Sequence, residues 1–395
     1  MEQEHTLMAQ AIDPHLRYER VPSDHFDLYG VFYDEASGRF LRMDPEVASN
    51  VSDNVARLNA NTAGGRVRFR TNSKKISMYV RYDALESMPH ASVMGLSGFT
   101  LMRKTATKDL YVYSFMPGYY GNEREYRDEH GFCATRTVTE VAALQDYILY
   151  FPNYNDVREL WIGFEPDALF GTPSKYRDLR PVLFYGSSIT QGACASRPDN
   201  SYPALVCKWG NVDFINLGFS GSALGEDAMA EYLASVDCSV FVSEYDYNAP
   251  NVSHLEKTHM KLYRTFRAAK PETPIVLMSR VCPLIGQLPA AANLAVVRNT
   301  FETARQSGDA NVYFVNGSKA FPIDEREHCF VDGTHPNDLG FYRMARNMYP
   351  AFRTALASAA RRAERNDFWS RLFDIRAEGK PKAEQPEKEK PEEEK

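Results

Sequence analysis

The chain reads as an α/β protein in two parts: a parallel sheet with helices on both faces, preceded by an antiparallel β-sandwich. Three observations carry this reading. From Pro181 onward, short apolar runs recur at Val182, Phe214, Val240, Ile275 and Val312. Helical segments lie between them, at Glu226 to Ser235, Ser253 to Ala269 and Ala290 to Gln306, and strand–helix alternation of this kind builds a parallel sheet. Upstream, from Phe26 to about Pro166, the punctuation is that of β structure, with almost no helical period.

In chain order, residues 1–25 read as a polar arm without period. The sandwich is expected over 26–175. GGRVRFRTN (Gly64 to Asn72) alternates Val67 and Phe69 with Arg66, Arg68 and Arg70. KKISMYVRY, GFTLMRK, DLYVYSF, YILYFP and ELWIGFEP continue the series. Six or more short strands with turn-like spacers predict a sandwich of jelly-roll type. The α/β part is expected over 178–377, closing with one or two helices between Phe341 and Arg365. Residues 378–395 form a tail of Pro, Glu and Lys, which has nothing to bury and is expected to be disordered.

A hydrophobic fraction of 44% and a charged fraction of 25% suit an ordinary globular protein. The net charge of −6 offers no basic footprint for nucleic acid. No apolar run is long enough to cross a bilayer, and MEQEHTLMAQAID shows no secretory signal. Cys133, Cys194, Cys207, Cys238, Cys282 and Cys329 form no CxxC pair, so a zinc ribbon or redox motif is unsupported. Cys207 and Cys238 read as small core residues. Reduced thiols and a cytoplasmic location are the expectation. Neither a metal nor a nucleotide cofactor is expected, because HExxH, P-loop and GxGxxG patterns are absent.

The chemistry gathers around PVLFYGSSITQG, Pro181 to Gly192. Its apolar run stops at Gly186, and Ser188 follows at the carboxyl end of a central strand, where open α/β sheets bind their ligands. A serine hydroxyl needs a base to take its proton. NLGFSGSA, EYDYNAP and VDGTHPND then supply Gly218 and Gly221, Asn248, and Asp332 with His335, each just after a strand-like run.

These blocks resemble those of the SGNH (GDSL-type) hydrolases over about Pro181 to Pro350, with GSSITQG, NLGFSG, DYNAP and DGTH as the four blocks. The usual Gly-Asp-Ser reads Gly186-Ser187-Ser188 here, so the acidic neighbour of the nucleophile is missing. FDLY at Phe26 to Tyr29 is similar to the signature of an N-terminal domain found in one subgroup, with His25 where that signature begins in glycine. The resemblance implies a flavodoxin-like α/β/α fold and acyl transfer. Ser188 would be the nucleophile, His335 the general base, and Asp332 the residue that orients it. Backbone N–H groups of Ser188 and Gly221 and the Asn248 amide would form the oxyanion hole, with Gly218 the rival glycine. Of the other histidines, His254 and His259 read as surface residues, and His90, His130 and His328 show no partner pattern.

The loop QGACASRPDNSY is polar, with Arg197, Asp199 and Asn200, and Tyr247 and Asp246 flank Asn248. Arg197, Tyr247 and Asp246 are therefore candidate substrate contacts. The expected substrate is a short acyl ester, acetyl first, on a carbohydrate. Two other readings stay open: a lipase or thioesterase on the same site, and a carbohydrate-binding protein without activity. Tyr119, Tyr120 and Asn122 are candidates for a sugar contact from the N-terminal part. A homo-oligomer is left open.

Overall fold

The computed structural model describes residues 13–117, 125–128, 130–281 and 288–378. Tyr119, Tyr120, Asn122, Cys282 and the charged tail from residue 379 on lie outside the described residues. The N-terminal half holds β1 (Arg17–Arg20), β2 (Asp27–Tyr29), β3 (Phe32–Asp34), β4 (Arg39–Leu41), β5 (Arg66–Thr71), β6 (Lys75–Arg81), β7 (Phe99–Lys104), β8 (Asp109–Phe115), β9 (Glu125–Asp128), β10 (Gly131–Thr137), β11 (Gln145–Tyr150), β12 (Glu159–Phe164) and β13 (Phe170–Gly171). They build two antiparallel sheets, ordered β1-β12-β6-β10-β9 and β13-β5-β11-β7-β8, with β2 also on β5 and a separate β3-β4 hairpin. Alternation places Val67, Phe69, Met78, Leu101, Leu149 and Ile162 in one apolar core, as period-2 strands facing a shared interior require.

Two expectations need correction here. Part of the supposed arm is strand β1, which pairs with β12 from Arg17↔Phe164 to Arg20↔Trp161. The stretch also contains helices: α1 (Pro45–Val51), α2 (Asp53–Asn59) and α3 (Val93–Ser97). Asp44 caps α1 by accepting from Glu46 N and Val47 N, and Ser52 caps α2 by accepting from Val55 N. Elements this short carry too few turns to show a period, so their caps were the only local signal. The polar set of the β5 alternation is buried too. Arg66 and Arg68 are 0% and 1% exposed. The Arg66 guanidinium pairs with Asp213 and stacks on the Phe214 ring at 3.8 Å; Arg68 stacks on Tyr176 at 3.6 Å and donates to Ser174 O at 2.6 Å. The second half of the chain covers Arg66, and the connecting stretch with Ser174 and Tyr176 covers Arg68.

That half is a parallel sheet of β14 (Val182–Gly186), β15 (Phe214–Gly218), β16 (Val240–Glu244), β17 (Ile275–Met278) and β18 (Val312–Val315), ordered β15-β14-β16-β17-β18. This is the flavodoxin-like strand order. β14 and β16 are buried along their whole length, as central parallel strands covered on both faces should be. Its helices are α4 (Ser188–Gln191), α5 (Tyr202–Gly210), α6 (Asp227–Ser235), α7 (Val252–Ala269), α8 (Leu288–Gln306) and α9 (Asp338–Glu378). The last is a single helix that runs through Pro350.

The two halves share their cores. Ala48, Val55 and Leu58 of α1 and α2 pack with Leu183, Leu217 and Met229. Arg42, 3% exposed, donates to Asn216 O at 3.0 Å and to Gly218 O at 2.6 Å, with the Phe219 ring 4.6 Å from its guanidinium carbon. No described helix is long and apolar enough to cross a membrane.

Candidate functional site

β14 ends at Gly186 because nothing larger fits there. A Cβ at that position would lie 2.1 Å from Thr190 Oγ1 and 2.4 Å from Glu244 O. The chain then turns into α4, one turn long, with Ser187 as its cap accepting from Ile189 N at 3.2 Å. Ser188 is the first residue of that turn, so its own N–H has no acceptor within the helix. Its Oγ lies 2.9 Å from His335 Nε2.

His335 sits on a loop pinched shut by the Phe330–Pro336 bridge and by Val331 N donating to His335 O at 3.0 Å. Inside the loop, Asp332 Oδ1 accepts from Thr334 N at 3.0 Å and from His335 N at 2.7 Å. Asp332 Oδ2 lies 2.7 Å from His335 Nδ1. Burial pushes the Asp332 carboxyl up, but the His335 backbone and ring and the Thr334 N–H outweigh it and bring it down to about 2. A carboxylate on Nδ1 keeps the proton there and leaves the Nε2 lone pair for the Ser188 hydroxyl. Asp338, at the start of α9, accepts from Ser196 N at 2.8 Å and from the Ser196 hydroxyl, tying the loop after the serine to the histidine loop.

Glu244, at the end of β16, lies under the turn that carries Ser187 and Thr190. Its Oε2 accepts from Ser187 Oγ at 2.9 Å and from Thr190 Oγ1 at 2.8 Å, and its carbonyl accepts from Ser187 N at 3.0 Å. Burial, with Asp246 adding to it, pushes the Glu244 carboxyl up to about 8. The folded chain therefore holds this proton through a range where the unfolded chain, near its ordinary 4.5, has released it, so stability falls as pH rises between those values. Asp246, raised by burial to about 6, shares only the lower part of that window. Glu244→Gln keeps the hydrogen-bond acceptor and removes the titration. Thermal melts from pH 6 to 8 are expected to decline less in this variant than in the wild type. Parallel decline would separate Glu244 from the pH dependence.

The glycine blocks differ in what they leave open. Gly218 N donates to Asn216 Oδ1 at 2.9 Å, which occupies it. Gly221 has a positive φ of 67°, and no atom of the described residues lies within 4 Å of where its Cβ would be, so among the described residues its backbone borders open space. Asn248 Nδ2 donates to Phe219 O at 3.0 Å, which fixes the amide and leaves its second N–H.

The substrate candidates do not all face the site. Asp246 is 1% exposed; its Oδ2 accepts from Arg280 N at 3.0 Å and its carbonyl from Asn293 Nδ2 at 2.9 Å, so it braces the wall behind Asn248. The Tyr247 ring lies under the Arg280 guanidinium at 3.7 Å. Arg197 is part-exposed, above the Tyr111 ring at 4.4 Å and 3.1 Å from Asn200 Oδ1. His259 also departs from expectation: it is 3% exposed, bonded to Thr300 Oγ1 at 2.8 Å, and pushed down to about 4 by burial.

Other neighbours of the serine carried no sequence signal. The N-terminal half reaches it directly, through Tyr154 OH donating to Ser188 O at 3.2 Å and Asn153 Nδ2 donating to Gly192 O at 3.3 Å. Gln191 accepts from Ser220 N at 3.0 Å and donates to Asn61 Oδ1 at 3.0 Å, linking the nucleophile turn, the glycine block and the N-terminal half. The His90 ring stacks on His335 with centroids 5.2 Å apart. Cys194 is beside them; burial, with the Asp332 charge adding to it, pushes its thiol up to about 12, so it is no rival nucleophile.

A family of GDSL-like lipases and acylhydrolases matches residues 179–353, and the GxDLY N-terminal region of SGNH-hydrolase-type esterases matches residues 16–170. Among solved structures, a Bacteroides ovatus ATCC 8483 protein described as a GDSL-like lipase is 26% identical, with a TM-score of 0.76 over 86% of this chain and 98% of its own. The salicylyl-acyltransferase SsfX3 of a tetracycline biosynthetic pathway is 18% identical at a TM-score of 0.69, covering 87% of this chain and 98% of its own. A family two carbohydrate esterase from Cellvibrio japonicus is 12% identical at a TM-score of 0.57, with the same coverage of 87% and 98%. At those identities the last two speak to the fold alone. No curated protein matches the sequence.

Proposed function

The chain belongs to the SGNH (GDSL-type) hydrolases, as a carboxylic ester hydrolase with a GxDLY-type N-terminal region, and from that premise we propose that it removes short acyl groups, acetyl first, from carbohydrate hydroxyls. One observation carries the acyl transfer: Ser188 Oγ, His335 Nε2, His335 Nδ1 and Asp332 Oδ2 form a continuous chain with steps of 2.9 Å and 2.7 Å.

The chemistry runs along that chain. His335 Nε2 takes the Ser188 proton as Oγ attacks the ester carbonyl carbon, and Asp332 steadies the imidazolium that forms. Negative charge gathers on the carbonyl oxygen, where the Ser188 and Gly221 N–H groups and the Asn248 amide would stabilise it. Collapse breaks the bond to the leaving alcohol, whose oxygen takes the proton back from His335. Water then attacks the acyl-serine by the same relay, releasing the acid and restoring Ser188.

The substrate class rests on the polar loop that contains Arg197 and Asn200 and on the fold shared with family two carbohydrate esterases. Specificity by acyl length and leaving group tests it. Acetylated xylo- or manno-oligosaccharides are expected to release acetate, and aryl esters to fall steeply in rate from acetate to octanoate. Faster cleavage of octanoate, or of an acyl thioester, would make the enzyme a lipase or thioesterase. No turnover of any ester would leave a carbohydrate-binding protein.

A further inference from the structure

Three side chains from distant stretches meet beside the serine: His90, Cys194 and His335. Their ligand atoms, ring nitrogens and Sγ, all lie within 4.8 Å of one another. The two rings are stacked at an interplanar angle of 28°, and Cys194 Sγ donates to His90 O at 3.3 Å. Cys194 is held at a φ of 67°, a conformation that a side chain other than glycine rarely adopts. We infer that His90, Cys194 and His335 form a binding site for a soft divalent cation, zinc by its ligand chemistry, and that an ion bound there reversibly silences the esterase.

The donor set selects the ion. Thiolate and imidazole favour zinc over magnesium or calcium, which take oxygen ligands. Three protein ligands leave a fourth position for water. Zinc bonds of about 2.0–2.3 Å put tetrahedral ligands roughly 3.3–3.8 Å apart, so separations of up to 4.8 Å close by up to about 1.0–1.5 Å as the two stacked rings turn toward a common point. His335 is already set up as a ligand. Asp332 holds Nδ1–H, and a carboxylate behind a histidine is the usual support for a ring that binds metal through its other nitrogen. That other nitrogen is Nε2, whose lone pair receives the Ser188 proton in catalysis. Metal and serine compete for one electron pair, so the ion works against hydrolysis. Binding forms the Sγ–metal bond and two N–metal bonds and sends the Cys194 thiol proton to solvent.

The test uses the whole chain, stripped with a chelator. Zinc at micromolar concentration is expected to stop aryl acetate hydrolysis, a chelator to restore it, and magnesium to have no effect. Cys194→Ser is expected to hydrolyse the ester while needing at least about tenfold more zinc for half inhibition, with His90→Ala weakened likewise. Cobalt(II) alone gives a readout that does not depend on activity. A thiolate-to-cobalt absorption band is expected in the wild type and in the inactive Ser188→Ala variant, and is expected to be lost in Cys194→Ser. Absence of that band from the wild type, or wild-type zinc sensitivity in both Cys194→Ser and His90→Ala, would overturn the site.

Discussion

Ser188→Ala is expected to lose about a thousandfold or more in kcat on an aryl acetate while keeping the wild-type melting temperature. The hydroxyl is half-buried and makes its hydrogen bond outward, to His335 Nε2. The contacts that hold the turn use the backbone instead: Tyr154 OH reaches Ser188 O, and Gly192 N and Ala193 N also donate to Ser188 O, at 3.0 and 2.9 Å. Removing one oxygen therefore removes the nucleophile and little else. His335→Ala is expected to fall as far, and the double variant no further, because a nucleophile without its base and a base without its nucleophile are equally idle. Steady-state kinetics with melting curves on the three purified variants check this. Near wild-type turnover in Ser188→Ala would give the reaction to another residue, and losses that multiply in the double variant would show that the two side chains act independently.

The parts of the fold legible in the sequence were those in which burial writes a local pattern. β14 and β16 are covered on both faces and read as unbroken apolar runs; β5 and β6 have one face in the sandwich core and alternate. The candidate triad was legible because Ser188 and the Asp332–His335 pair each follow a strand-like run within a short motif. What stayed hidden depends on a partner far along the chain. Arg66 and Arg68 look like surface residues until Asp213 and Tyr176 cover them. Glu244 reads as the end of a strand until the fold sets it under Ser187 and Thr190, from whose hydroxyls it accepts. His90 has no companions in its own segment; they are Cys194 and His335. Asp246 was misplaced for the opposite reason. Its neighbour Asn248 suggested a cleft, but two residues is enough for the chain to turn one side chain outward and the other into the wall.

Asp332→Asn is expected to cost about ten-thousandfold in kcat with little change in KM, and the geometry states why. Asp332 Oδ1 accepts from two backbone N–H groups and Oδ2 from the His335 ring. An asparagine has one acceptor oxygen, and the two fixed backbone donors claim it. Its NH2 must then face Nδ1, which can accept only if it carries no proton. The imidazole proton moves to Nε2, the nitrogen that has to take a proton from Ser188, and the base is switched off while every atom stays near its place. Charge is lost as well. The carboxyl, brought down to about 2, is an anion throughout any practical assay, so the imidazolium loses its counter-ion in the variant. The depressed value also contributes stability that is present above the ordinary carboxylate range near 3.8 and is lost as pH falls through about 2. Because asparagine imposes the wrong tautomer, whereas alanine merely stops choosing one, Asp332→Ala is expected to be no slower than Asp332→Asn. A loss of less than about tenfold in Asp332→Asn would show that Ser188 and His335 work as a dyad, with Asp332 serving only to close its loop.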